Sequence, residues 1–161
     1  MKDNDFSHLD EKGSANMVDI SSKNITKREA LASCKVFLSK TAFNKVREND
    51  MSKGNVINIA KIAGIMASKK THDLIPLCHQ VPLNKVDLNF QFDNSSYSIY
   101  ITSKATTDWK TGVEMEALTA VSLAALTIYD MCKSIDRSMI ITDIQLESKK
   151  GGASGEWKRA K

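Results

Sequence analysis

Residues Thr71 to Gln80, THDLIPLCHQ, gather His72, Asp73, Cys78 and His79 around the apolar run Leu74-Ile75-Pro76-Leu77. Two of the chain's three histidines and one of its two prolines fall in this stretch. Imidazole, thiol and carboxyl groups at such density could hold a metal, move protons or pack. Spacing speaks against the metal. His72, Cys78 and His79 do not follow a zinc pattern, neighbouring side chains diverge in an extended chain, and no second Cys/His pair lies elsewhere. Proton transfer by His79 fits better, because an imidazole titrates at about 6.5 and a proline turn can hold the ring in place. A lone histidine is nonetheless more often structural. Cys78 would need a partner to become a thiolate, which an adjacent residue rarely provides, so packing is the better reading for it.

A second constellation lies in Val113 to Ser134, VEMEALTAVSLAALTIYDMCKS. Glu114 and Glu116 stand in the first turn of a predicted helix, where its dipole tolerates acids. Asp130 and Lys133, three apart, share a face near its end and can pair. Capping acids and a surface ion pair would account for both. Asp130, however, follows AALTIY, where a charge is costly unless something holds it. At 1.5 Å per residue, Glu116 and Asp130 stand about 21 Å apart along the axis. A small substrate cannot reach both on one helix, but two antiparallel copies across a dimer would bring them together.

The third group is Lys149-Lys150-Gly151-Gly152-Ala153-Ser154-Gly155, whose amides and flanking lysines could hold phosphate. A flexible tail would carry the same composition, and a short glycine pattern is weak by itself. Lys53-Gly54 and Lys69-Lys70 are other candidate phosphate partners, although most surface lysines are merely solvated.

These residues need elements to position them. With 161 residues, 42% hydrophobic and 26% charged, the chain suits a single domain with a real core. A net charge of +4 suits an anionic small molecule as well as a nucleic acid. Three dispersed cysteines and the lack of a signal-like apolar start point to a reduced, cytoplasmic protein, and no charge-free apolar run reaches membrane-span length. Residues 1–16 read as a loose polar arm with an idle His8, and residues 17–161 as the domain. A short extended piece, MVDISS, is followed by alternation over Ala30 to Leu38 that predicts a strand. A short helix opens at Ser39. Val56, Ile59, Ala60, Ile62, Ala63 and Met66 fall on one face of a second helix. Val86, Leu88, Phe90 and Phe92 alternate up to DNSS, and Tyr97, Ile99 and Ile101 alternate back, which is a β-hairpin. The helix from Val113 is apolar almost all round, as expected if one face packs on another subunit. A strand over Met139 to Glu147 precedes the glycine-rich tail. The mixture predicts an α+β fold, an antiparallel sheet with helices on one face.

The segments MVDIS, INIAKIAGIMASKKTHDLIPLCHQVPL, TGVEMEALTAVSLAALTIYDMCKSID and SKKGGASGEW, in this order and spacing, strongly resemble the cyclic pyranopterin monophosphate synthase (MoaC) family of molybdenum cofactor biosynthesis. The resemblance runs from about Met17 to Trp157. It implies a ferredoxin-like fold and a lyase that converts 3′,8-cyclo-7,8-dihydroguanosine 5′-triphosphate to cyclic pyranopterin monophosphate with release of pyrophosphate. It also implies a homohexamer, a trimer of dimers with sites at subunit interfaces, that binds neither nucleic acid nor membrane. No cofactor or protein-bound metal is implied, with Mg²⁺ at most accompanying the triphosphate.

Carried over by position, the resemblance makes Asp130 the catalytic aspartate, Lys133 its companion and Lys53 a second functional lysine. Leu77, Cys78, His79, Met115 and Glu116, with Glu114 beside them, become substrate contacts. Arg28 and Lys149 fall near the triphosphate. Ring opening and reclosure need proton donors and acceptors, and departing pyrophosphate needs cations. Asp130 should raise the pKa of Lys133, while a nearby Lys53 would oppose it.

Gln80 stands where the family usually has proline, Asn55 where it usually has aspartate, and His72 where a tryptophan or small residue is usual. None of the three removes a group with a proposed chemical role. A rival reading is an RNA-binding sheet with exposed aromatics, but Phe90 and Phe92 share the core face with Val86 and Leu88. The other rival is a relative that binds the nucleotide without converting it.

Overall fold

The computed structural model describes His8, residues 13–52 and residues 54–160. Strand β1 (Thr26–Phe37) leads into α1 (Lys40–Arg47), α2 (Val56–Ser68) and the single turn α3 (Thr71–Leu74). The hairpin β2 (Lys85–Asp93) and β3 (Ser98–Trp109) follows, then α4 (Glu114–Cys132), β4 (Ile140–Lys150) and β5 (Trp157–Lys158). The strands lie in the order β2-β3-β1-β4-β5, with each neighbouring pair antiparallel. With α1 and α3 set aside, the order β1-α2-β2-β3-α4-β4 is the β-α-β-β-α-β ferredoxin-like arrangement expected, and β5 extends one edge.

The helices cover one face because one set of alternating strand positions is apolar or small. Ala30, Ala32, Cys34 and Val36 of β1 pair with Ala105, Ser103, Ile101 and Ile99 of β3, and all eight are buried. Their short side chains let α4 approach closely, through Ala117, Ala120, Val121, Ala124 and Ala125. The Cys34 thiol donates to the Val121 carbonyl at 3.5 Å, and burial pushes its pKa up to about 12.

Helix α2 packs beside α4 and also against β2. At Gly64, a Cβ would stand 2.7 Å from both the Ala120 carbonyl oxygen and Leu88 Cδ2, so only glycine allows this approach. The inward row of α2 is Val56, Ala60, Gly64 and Ser68. Ile59, Ile62 and Met66, expected on the packed face, are instead 41%, 58% and 63% exposed. An i,i+4 row of small residues wins the close contact, and the larger side chains are displaced outward. The sheet and α2 also account within one chain for the missing polar face of α4. Among its large apolar residues only Leu126 is exposed. Long and apolar enough to cross a bilayer, α4 has 56% of its apolar window buried inside the fold.

Ser39 caps α1 by accepting from the Ala42 amide at 3.3 Å, and its own amide donates to Asp136 at 2.6 Å. Phe43 meets Phe92 and Tyr97 edge-on, with ring centroids 5.6 and 5.7 Å away. Tyr97 lies in the hairpin turn at φ +49°, not in the returning strand. Asp93 holds that turn through the Ser95 amide and the Ser96 hydroxyl.

Two strands outrun their expected limits. β1 starts at Thr26 instead of Ala30, which sets Arg28 opposite Thr107. β4 runs to Lys150, so Lys149 faces Ala30 of β1 and pairs with Trp157 of β5. The supposed tail is a hairpin around a glycine turn.

Candidate active site

The loop after α3 is fastened on both sides of its histidine. Before it, the Cys78 amide donates to the Ile75 carbonyl at 3.0 Å, closing the turn around Pro76. Beyond it, the Pro82 carbonyl accepts from the buried Thr107 hydroxyl, and the Asn84 amide donates to the Thr106 carbonyl at 2.9 Å. Leu77, Cys78 and His79 are thereby laid against the first turn of α4. Together with Met115, Glu116 and His8 they line a pocket of about 150 Å³. His8, read from sequence as idle, belongs to this wall. Its carbonyl accepts from the Asn16 amide at 2.8 Å, a link between distant arm residues that carries no sequence signal.

Glu116 is the buried acid here, only 5% exposed. Burial pushes its carboxyl up to about 7, and the charge of Glu114 adds to the rise. The Cys78 thiol is also raised, by burial and then by Glu116, which makes it a poor nucleophile. His72 does not line this pocket; its Nε2 lies 3.3 Å from Asp73 Oδ1.

Next to the pocket lies a cleft of about 680 Å³, and the two share Thr111, Gly112 and Glu114 as a wall. Lys23, Arg28, Lys110, Lys149 and Lys150 line it. Gly151 and Gly152 turn around Arg28 at φ +98° and +74°. A Cβ at Gly152 would collide with Arg28 Nη1, and one at Gly151 with the Lys27 carbonyl. The Arg28 Nη2 donates to the Lys110 carbonyl at 3.3 Å, whereas its Nε is buried without a partner among the described residues. Lys110 also ties down the MVDIS segment, donating to the Ser21 carbonyl at 2.6 Å. In that segment, Ser21 hydrogen bonds hold the Asp19 carboxyl below its ordinary pKa, with smaller contributions from Lys110 and His79.

The remaining predicted residues lie elsewhere. Asp130 and Lys133 are at the far end of α4, where Lys133 Nζ donates to Asp130 at 2.7 Å. That hydrogen bond raises the lysine's pKa, as expected. Lys133 and Arg137 line a separate hollow there of about 310 Å³. Lys53 lies outside the described residues. Among the described residues, no group of three or more His, Cys, Asp or Glu is arranged to hold a metal.

A cation-lined cleft opening beside an imidazole–carboxyl pocket can seat a polyphosphate in one part and a titrating heterocycle in the other. Comparison with known proteins shows which family carries this arrangement. The MoaC family profile matches residues 17–152, which is most of the chain. This chain belongs to the MoaC family. Its relatives include the cyclic pyranopterin monophosphate synthase of Heliobacterium modesticaldum, 53% identical over 96% of this chain and 97% of the relative. The synthase of Staphylococcus haemolyticus is 50% identical over 96% and 98% of the two chains, and that of Clostridium acetobutylicum 49% over 96% of each. The matched MoaC region contains every site residue named above except His8, which precedes it.

Proposed function

We propose that this chain is a cyclic pyranopterin monophosphate synthase, a lyase acting in molybdenum cofactor biosynthesis. Its substrate is 3′,8-cyclo-7,8-dihydroguanosine 5′-triphosphate. The observation carrying this reading is the wall shared by the cationic cleft and the His79–Glu116 pocket. It suits one molecule with a triphosphate at one end and a purine-derived ring at the other.

In this reading Arg28 and Lys149 hold the phosphates in the cleft. Closing the cyclic phosphate forms a bond from a sugar oxygen to the α-phosphorus and breaks the bond toward the β-phosphate. Pyrophosphate leaves with the electron pair, and the cations stabilise the charge it carries away. The ring rearrangement needs proton donors and acceptors. Glu116, poised to titrate at about 7, and His79 occupy the pocket for that work. Leu77, Cys78 and Met115 form the surface on which the ring rests. Asp130, Lys133 and Lys53 complete the site from a second subunit. No bound cofactor is required, and Mg²⁺ enters only as a counter-ion of the triphosphate.

The assembly in this reading is a homohexamer, a trimer of dimers, acting in the cytoplasm. The separation of Asp130 from Glu116 supports a composite site, and the exposed Ile59, Ile62 and Met66 of α2 and Leu126 of α4 offer apolar surface for subunit contact. Phe90 and Phe92 pack against the core, which removes the aromatic platform an RNA-binding sheet would use.

The test is conversion of the cyclo-dihydro-GTP substrate, followed by pyrophosphate release and by pterin fluorescence after oxidation, for wild type and Asp130→Asn. Turnover lost only in the variant supports the reading. Tight binding by wild type without turnover would make the chain a nucleotide binder.

A further inference from the structure

The cationic cleft also holds two carboxylates, Glu29 and Glu114. Glu29 is engaged by Lys104, which does not line the cleft, at 2.8 Å. Glu114 is engaged from inside: its Oε1 lies 3.1 Å from Lys149 Nζ, with side chains 28% and 34% exposed. The Glu114 carboxylate lies over Gly112, in space a Cβ would fill, since a methyl built there would strike Glu114 Oε2. Position 112 is thus shaped to admit this carboxylate. The first turn of α4 further favours a negative charge there.

We propose that Glu114 is an internal competitor for the phosphates: its carboxylate holds Lys149 in the free enzyme, yields it to the substrate, and reclaims it as pyrophosphate leaves. This inference rests on the reading of the cleft as the triphosphate site. A carboxylate and a phosphate oxyanion within a few ångströms of one ammonium repel each other, so Lys149 cannot serve both fully. Exchange of one anion for the other leaves Lys149 paired at every stage, so its ammonium, 34% exposed, is never stranded. Glu114 borders both the cleft and the neighbouring pocket, and at 28% exposure its side chain keeps contact with solvent when Lys149 is taken. The consequence for catalysis is directional. A site cationic enough to hold a triphosphate would also retain pyrophosphate, and an attached anion that returns to Lys149 speeds its release.

The experiment is titration calorimetry of the full chain with pyrophosphate, comparing wild type, Glu114→Gln and Gly112→Ala. Glu114→Gln removes the competing charge and should bind pyrophosphate about fivefold more tightly, the worth of a partly screened ion pair. Gly112→Ala keeps the charge but fills its resting place, and should shift affinity in the same direction. In turnover, pyrophosphate should inhibit Glu114→Gln more strongly than wild type, a change that a purely structural role would not produce. Equal or weaker pyrophosphate binding in both variants overturns the inference while leaving the functional reading intact. Wild type that turns over substrate yet binds no pyrophosphate also overturns it. Wild type that binds pyrophosphate but never turns over the substrate overturns the functional reading on which the inference rests.

Discussion

Glu116 and Asp130 sit near opposite ends of α4, about 21 Å apart along its axis, so no nucleotide-sized molecule touches both in one chain. Glu116 is buried beside the His79 loop, whereas Asp130 is exposed and bonded to Lys133. If one reaction uses both, two chains supply them.

Subunit mixing tests that directly. Asp130→Asn and His79→Ala should each lose on the order of 100-fold or more in turnover, as expected for removal of an acid–base group. Co-refolded together, they should recover about a quarter of the wild-type rate, the statistical yield of random exchange between two-chain sites. Mixtures as inactive as their components would mean that each chain carries its site alone.

Glu116 makes a signed statement about stability. An ordinary glutamate titrates at 4.5, and this one at about 7. Between those values the folded chain keeps a proton that the unfolded chain has released, so stability is full below 4.5 and falls as pH rises to about 7. The drop has a ceiling of about 3 kcal/mol at 1.36 kcal/mol per pKa unit. Urea unfolding at pH 5 and pH 8 should show it in wild type, and Glu116→Gln should flatten the profile. A variant with the same slope as wild type would place the titrating group elsewhere.

The glycine turn around Arg28 can be separated from its backbone strain. Gly152→Ala meets both a positive φ and the Arg28 guanidinium, whereas Gly155→Ala meets φ +66° with nothing within 4 Å. Both should lose about 1–2 kcal/mol of stability from the left-handed conformation. Only Gly152→Ala should also weaken pyrophosphate binding, as measured by calorimetry. Similar losses of affinity in both would mean that the turn, and not Arg28, sets the cleft.

His8 offers a test of the arm. It is exposed and lines the pocket with His79 and Glu116. His8→Ala should raise KM severalfold with the melting temperature unchanged, as for most exposed substitutions. An unchanged KM would mean that the imidazole passes by the pocket without contributing to it.

Much of the fold was legible along the chain. Alternation at Val86, Leu88, Phe90 and Phe92 marks the hairpin, and Ser39 marks a helix start, because these signals depend only on neighbours in sequence. The failures cluster where polar residues mask periodicity. Thr26 to Glu29 and Ser148 to Lys150 continue strands with chemistry-bearing residues on both faces, so nothing apolar betrayed them. On α2 the expected face is right at Val56 and Ala60 but wrong at Ile59, Ile62 and Met66, because hydrophobicity favours the large side chains whereas close packing against α4 selected Gly64 and its small neighbours.

The sequence by itself determined the residue types, the order of the main elements without α3 and β5, the family and the distance that divides α4 into two chemical ends. The resemblance already implies that Arg28 and Lys149 share one triphosphate, but only the tertiary structure supplies the cleft they line and makes Glu114 part of the wall it shares with the pocket. Periodicity states which face a residue takes. The strand beside it is set by the antiparallel register of β1 with β3 and β4, which depends on the packing of the whole sheet against α4.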